Sequence, residues 1–202
     1  MTTDFVHLHV HSQFSFLSST AKVSDLVRRA RAHGMGALGL TDHANMFGAV
    51  RFYRECHQQG LVPILGCELN VARSEGGDKV DHLVVLAANS EGYNNLVRLV
   101  SESYLDPATP SAPSIRREHV ARASRGLVAL TGCMNGVLAQ QVLEFGPERA
   151  EPTLAELRDQ FEPGYLFVEL QDHGLPEQAV LGDVLRGAAP DSERARGHER
   201  PG

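Results

Sequence analysis

The chain has 202 residues, of which 42% are hydrophobic, and it carries a formal net charge of −6 at pH 7. This length allows one substantial domain with a buried core, and the negative charge argues against a broad electrostatic grip on a nucleic-acid backbone. No long apolar run and no basic leader is present, and three widely spaced cysteines do not indicate a disulfide framework. We therefore expect a cytoplasmic protein without a membrane span.

Short apolar runs alternate with segments of helical periodicity along the chain. The predicted elements are, in chain order, a strand at 5–10, a helix at 22–33, a strand at 37–41, a helix at 48–59, strands at 62–69 and 81–88, a helix at 91–103, a short helix after the proline-rich loop 107–113, a strand at 127–132, helices at 135–145 and 152–161, and a strand at 165–170. This alternation predicts an α/β fold with a mostly parallel sheet or barrel. The second helix should turn Ala49, Phe52, Tyr53 and Cys56 inward.

The segment HLHVHS places three histidines at alternate positions close to the start of the chain. In a strand, a period of two puts His7, His9 and His11 on one face. The apolar residues between them would then pack against helices on the other face. A histidine pair spaced in this way offers two neutral imidazoles to one metal ion or to neighbouring ions.

Most of the predicted strands carry a potential metal ligand at one end, where α/β folds collect their chemistry. These residues are His9, His11, Asp42, His43, Glu68, His82, Cys133 and Glu169, with His173 shortly after the last strand. Imidazole, carboxylate and thiolate together suit Zn²⁺ or Mn²⁺, with iron also possible. The structural alternatives are ordinary: a hydrogen-bonded core histidine, a packed thiol, a helix cap at Asp42, or a paired charge at Glu169. The convergence of ligand types at strand ends favours a metal site.

Six segments in this order and spacing resemble the N-terminal PHP (polymerase and histidinol phosphatase) domain of the bacterial DNA polymerase III alpha subunit. They are FVHLHVHSQFSFL, ALGLTDHANMFGAVRFY, ILGCELNVA, HLVVLAANSEGYNNLVRLVS, GLVALTGC and YLFVELQDHGLPEQ, within about residues 5–183. The resemblance implies a distorted, TIM-like (β/α)7 barrel over residues 1–185, with up to three divalent ions at the C-terminal strand ends. The metal ligands that it implies are His9, His11, His43, Glu68, His82 and Cys133. Asp42 and His43 are the implied catalytic residues, with Asp42 beside the site to orient a ligand.

The chain departs from the pattern of this family at two places. Where the family has Asp followed by Gly after its first motif, this chain has Ser18 and Ser19. The Asp-x-His pair that closes the family's site also has no counterpart here. We therefore expect a truncated domain whose barrel lacks its last strand, fewer bound metal ions, and a disordered tail at 186–202, which contains no large apolar residue.

The resemblance implies phosphodiester cleavage of the 3′→5′ exonuclease type within DNA replication. The expected partners are DNA or another phosphate ester, and other replicase subunits. Two alternatives remain open from the sequence. One is a free-standing metal phosphoesterase of the histidinol phosphatase type, which acts on small monoesters. The other is a non-catalytic module or gene remnant.

Overall fold

A computed structural model describes residues 5–73, 77–189 and 194–196, the last three by their backbone alone. Its elements are α1 (Val23–Ala32), β1 (Ala37–Leu40), α2 (Ala49–Gln59), β2 (Val62–Ala72), β3 (Val80–Ala87), α3 (Ser90–Leu105), α4 (Arg117–Arg122), β4 (Leu127–Leu130), α5 (Val137–Phe145), a 3-10 turn (Pro147–Arg149), α6 (Ala150–Arg158), β5 (Leu166–Leu170), α7 (Pro176–Ala188) and β6 (Arg194–Arg196). The α/β alternation predicted from the sequence is confirmed, and α7 is an additional helix.

The strands form one sheet in the order β1-β2-β3-β4-β5-β6, but β3 runs antiparallel to both of its neighbours. The sequence analysis predicted a mostly parallel sheet and did not foresee this reversal. The connection between Ala72 and Val80 is too short for a helical crossover, so it can only join antiparallel strands. As a result, the beginning of β3 lies at the same rim of the sheet as the end of β2.

The sheet curls into a partial barrel, as expected for an incomplete TIM-like fold. Its concave face carries a small apolar cluster in which Val84, Leu86 and Leu130 are buried, with Leu8 and Phe167 packed against them. Two larger clusters lie between the convex face and the helices. Within the part of the chain that the structure describes, the hydrogen-bonded order runs from β1 to β6 without closing.

Residues 5–10 were predicted to form a regular strand, and this prediction is wrong. The segment lies beside β1, where His7 O accepts a bond from Gly39 N (2.7 Å) and Val10 O accepts one from Thr41 N (2.9 Å). It bends at His9, so the strict alternation of faces is lost.

The bend sends two neighbouring apolar residues of this segment into different clusters. Leu8 packs inside the barrel, whereas Val10 packs with the cluster under α1 and α2. Gly39 makes the close crossing possible, because a Cβ at this position would lie 2.6 Å from Leu8 O. The absence of a side chain in β1 therefore positions the histidine-bearing segment.

Two further expectations need correction. Tyr53 was expected to face inward on α2, but it is 49% exposed, whereas Phe52 and Cys56 are buried. The tail predicted to be disordered from residue 186 begins inside α7, which continues to Ala188. Arg194–Arg196 pairs in parallel with β5. The rest of the predicted tail, at 190–193 and 197–202, lies outside the described residues. Among the described helices, none is long and apolar enough to cross a membrane.

Candidate metal centre

One rim of the partial barrel gathers four histidines from three separate segments. His9 and His11 come from the N-terminal segment, and His43 follows β1 and forms a β-bridge with Glu68 of β2. His82 opens β3 and is paired with Asn70, two residues beyond Glu68. The antiparallel direction of β3 therefore explains why a ligand from the start of one strand meets a ligand from the end of another.

Glu68 is the common partner of these four imidazoles. Its carboxylate is 2% exposed, and a ring nitrogen of each histidine lies close to one of its two oxygens. The distances are 3.1 Å to His9 Nε2, 3.1 Å to His82 Nδ1, 2.7 Å to His43 Nδ1 and 3.4 Å to His11 Nε2. Five of the six predicted metal ligands are thereby brought together.

The electrostatics of the cluster follow from this geometry. Burial by itself raises the pKa of Glu68, but the four neighbouring histidines outweigh burial and hold the pKa well below its usual range. Burial lowers the pKa of His9, but the carboxylates of Glu169 and Glu68 outweigh burial and raise it to about 10. For His82, burial also lowers the pKa, while the neighbouring Cys133 and Glu68 raise it to about 9.

The donor set fits divalent metal ions. The buried ring nitrogens His11 Nε2 and His82 Nδ1 lack a hydrogen-bond partner of suitable geometry among the described residues, although each lies near Glu68. Buried polar atoms in this condition need an explanation, and a bound ion is one that suits imidazole nitrogens. Two triads have ligand atoms within 4.8 Å of one another, His9–His11–Glu68 and His43–Glu68–His82. Because both contain Glu68, its carboxylate could bridge two neighbouring ions.

Cys133 lies at the edge of this centre. It follows β4, is half-buried as a free thiol, and contacts the ring of His82. It belongs to neither triad, so its role as a ligand stays a prediction. The other two thiols are fully buried in the apolar clusters: Cys56, as the sequence analysis expected, and Cys67.

Asp42 belongs to neither triad, and its carboxylate is bonded to the loop that follows His11. Its carboxylate accepts bonds from Ser12 N (2.6 Å), Ser12 Oγ (2.8 Å) and Ser15 Oγ (2.6 Å). Ser15 Oγ in turn accepts a bond from His43 N (3.0 Å). This buried position fits the orienting role expected for Asp42 better than direct contact with a substrate. Sequence reasoning missed both serines, because a serine in a loop carries no local signal of its partner.

Glu169 and His173, which were predicted at or shortly after the end of the last strand, differ in role. Glu169 of β5 reaches the centre, with its Oε1 atom 2.8 Å from His9 Nδ1. His173 lies apart from the cluster and pairs with Gln178 at the start of α7 (3.0 Å). Of these two predicted residues, Glu169 therefore belongs to the site, whereas His173 only contacts the first turn of α7.

Comparison with known proteins decides the family. The PHP domain family matches residues 7–173, which span every residue of the centre. The chain belongs to the PHP domain family. The resemblance drawn from the six sequence segments is thereby confirmed.

Relatives of this PHP domain are much longer bacterial DNA polymerases. The DNA polymerase III subunit alpha of Treponema pallidum is 40% identical over 189 residues, covering 90% of this chain and 16% of the relative. That of Escherichia coli is 37% identical over 193 residues, covering 96% and 16%. An error-prone DNA polymerase of Symbiobacterium thermophilum is 40% identical over 197 residues, covering 90% and 18%. The chain thus spans about one sixth of the length of these relatives.

Solved structures share the fold of this PHP domain at low identity. A protein of Bifidobacterium adolescentis described as a metal-dependent phosphoesterase aligns with a TM-score of 0.58 and 14% identity, over 98% of this chain and 88% of that one. An amidohydrolase of Chromobacterium violaceum aligns with a TM-score of 0.53 and 14% identity, over 89% and 82%. These likenesses support the α/β partial barrel.

Proposed function

We propose that this PHP domain is a metal-dependent phosphoesterase whose substrate is the phosphodiester at the 3′ end of a DNA strand. The observation that carries the proposal is the convergence of four imidazoles on Glu68, two of them with buried ring nitrogens that lack a suitable partner. Such donors are those that Zn²⁺ and Mn²⁺ prefer. A DNA substrate is supported by the polymerase relatives, and it would place the protein in the cytoplasm together with other replicase subunits.

Each residue of the centre has a role in this proposal. A bound divalent ion supplies an activated water and neutralises the charge that develops on phosphorus. Glu68 would help to hold an ion in either triad, since both triads contain its carboxylate. His43 is the most exposed of the four imidazoles, at 29%, so it is the one best placed to meet a substrate.

The number of ions should be lower than in family members with a complete site. Ser18 is exposed and replaces the carboxylate expected at that place in the family. Its neighbour Ser19 donates to the backbone oxygen of His11 (2.9 Å) and supplies no negative charge. We therefore expect two ions, bound by the two triads, and weaker binding than a full set of carboxylates would give.

The test is a comparison of substrates with one matched pair of variants. A 3′-labelled DNA strand and a panel of small phosphate monoesters are incubated with the protein and Mn²⁺ or Zn²⁺. We expect metal-dependent release of nucleotides from DNA that is lost in Glu68→Gln and retained in Glu102→Gln. Glu102 is the matched control because it also pairs with a histidine, His119, at 3.3 Å, but outside the centre. Hydrolysis of monoesters alone would instead support the histidinol phosphatase type of activity.

A second candidate function, a non-catalytic scaffold, is favoured by one specific observation. His9 lies between two carboxylates, Glu68 at 3.1 Å and Glu169 at 2.8 Å, so protons alone could hold part of the cluster together. The metal content of protein purified without chelator separates the two functions. Less than one ion per chain, with no hydrolysis after addition of Mn²⁺ or Zn²⁺, supports the scaffold and contradicts the phosphoesterase.

A further inference from the structure

We infer that Glu169 is a positioning residue that determines which ring nitrogen of His9 faces the metal centre. This inference rests on the proposed metal site, and it concerns a residue outside both triads. A neutral imidazole carries a proton on only one of its two nitrogens, so it can bind an ion only through the other. The identity of the protonated nitrogen therefore decides whether His9 is a competent ligand.

The geometry assigns the two nitrogens of His9 to two different carboxylates. Nδ1 lies 2.8 Å from Oε1 and 3.1 Å from Oε2 of Glu169, whereas Nε2 lies 3.1 Å from Oε1 of Glu68. A carboxylate accepts hydrogen bonds and cannot donate one when ionised, so Glu169 selects the form of His9 with the proton on Nδ1. In metal-free protein, Glu68 accepts a second proton of His9 at Nε2. A bound ion would take the place of that proton, while Glu169 keeps the proton on Nδ1.

Glu169 is itself held in place from two directions. Its backbone N–H donates to Thr131 Oγ1 (3.0 Å), and its Oε1 atom accepts a bond from Gln171 Nε2 (2.6 Å). The side chain is 7% exposed, so water competes little for its oxygens. This fixed acceptor ties β5 to the bent N-terminal segment, across 160 residues of sequence.

A direct role of Glu169 as an ion ligand fits the structure less well. Glu169 contacts Nδ1 of His9, and Glu68 contacts Nε2, so the imidazole ring separates the two carboxylates. Nε2 is the nitrogen of His9 that lies near Glu68, so an ion held by His9 and Glu68 together would be bound through Nε2. Glu169 thus acts on the ion through His9, as an acceptor that orients the ligand and raises its basicity.

The test compares Glu169→Ala and Glu169→Gln with the control Glu162→Gln. Glu162 precedes β5 at its other end and accepts a bond from Gly126 N (2.8 Å), remote from the histidines. Affinity for Zn²⁺ is measured by competition with a chromophoric chelator. We expect Glu169→Ala to weaken affinity about 10–100-fold, because loss of such an acceptor typically has this effect. Glu169→Gln should weaken it less, since a neutral amide oxygen still accepts from Nδ1, and Glu162→Gln should leave it unchanged.

A second measurement reports on the proton itself and does not require a metal. In long-range proton–nitrogen NMR spectra, the Nδ1 proton of His9 should be hydrogen-bonded in the unaltered protein and lose this signature in Glu169→Ala. Persistence of the signature in Glu169→Ala, or a Zn²⁺ affinity within twofold of the unaltered protein, would overturn the inference. If Glu169→Ala does not fold, the test uses Glu169→Gln. An unshifted Nδ1 proton of His9 together with an unchanged Zn²⁺ affinity in Glu169→Gln would overturn the inference. Failure of the unaltered protein to bind any ion would count against the phosphoesterase alone, because the NMR result stands by itself.

Discussion

Replacement of Glu68 by glutamine preserves the shape of the side chain but removes the negative charge on which four imidazoles converge. In metal-free protein near neutral pH, His9 and His82 are cationic, because their pKa values are raised to about 10 and about 9. Removal of one partner from a buried ion pair costs about 3–5 kcal/mol. His9 keeps Glu169 as a second partner, so we expect the lower end, about 3 kcal/mol of unfolding free energy.

The pH dependence of this loss has a definite sign. A histidine whose pKa is raised in the folded state contributes stability that is fully present below its unfolded value, about 6.5. For His82 and His9, this contribution disappears as the pH rises through about 9 and about 10. The difference in stability between the unaltered protein and Glu68→Gln should therefore be largest near pH 6.5 and shrink toward pH 10.

Urea unfolding with a strong chelator, at several pH values between these limits, measures the difference. Glu102→Gln serves as the control, because Glu102 pairs with His119 and Arg122, both at 3.3 Å, in a more exposed setting. Pairs of this kind contribute about 0–1 kcal/mol. A loss for Glu68→Gln below about 1 kcal/mol near pH 6.5, or a loss that grows with pH, would refute the electrostatic reasoning.

Three further predictions concern how the site is positioned. Gly39→Ala should destabilise the protein by about 1–3 kcal/mol and weaken metal binding, because the added carbon would lie 2.6 Å from a backbone oxygen of the histidine-bearing segment. Gly36→Ala, with nothing within 4 Å of the added carbon, is the control, and equal effects of the two changes in chemical denaturation would contradict this reasoning. Asp42→Ala should lower the free energy of unfolding by about 1–3 kcal/mol and weaken Zn²⁺ binding, because it frees the serines that support His43. An unchanged Zn²⁺ affinity would argue against an orienting role of Asp42. A thiol reagent should modify half-buried Cys133 before the fully buried Cys56, and Zn²⁺ should slow the modification of Cys133 if it is a ligand. Mass spectrometry follows the modification of each cysteine. An unchanged rate at Cys133 with bound Zn²⁺ would exclude its thiol from the site.

The chemistry of the centre was predictable because ligand type and strand position are local properties. His9, His11, His43 and Glu68 follow from recognisable runs that end where an α/β fold places its site. His82 was also found by its residue type, although its place at the beginning of a strand does not fit that rule. Its position becomes intelligible only through the short hairpin that reverses β3.

The pairing of these residues was decided by the tertiary structure. The bend at His9, the crossing over Gly39 and the contact between His9 and Glu169 each join segments that are remote in sequence. A periodic pattern describes one element at a time and carries no information about such contacts. The sequence by itself therefore determined which side chains could bind a metal and roughly where strands β1 to β5 lie. Only the packed fold determined that Glu68 is their common partner, because a shared carboxylate is a property of distances between strands.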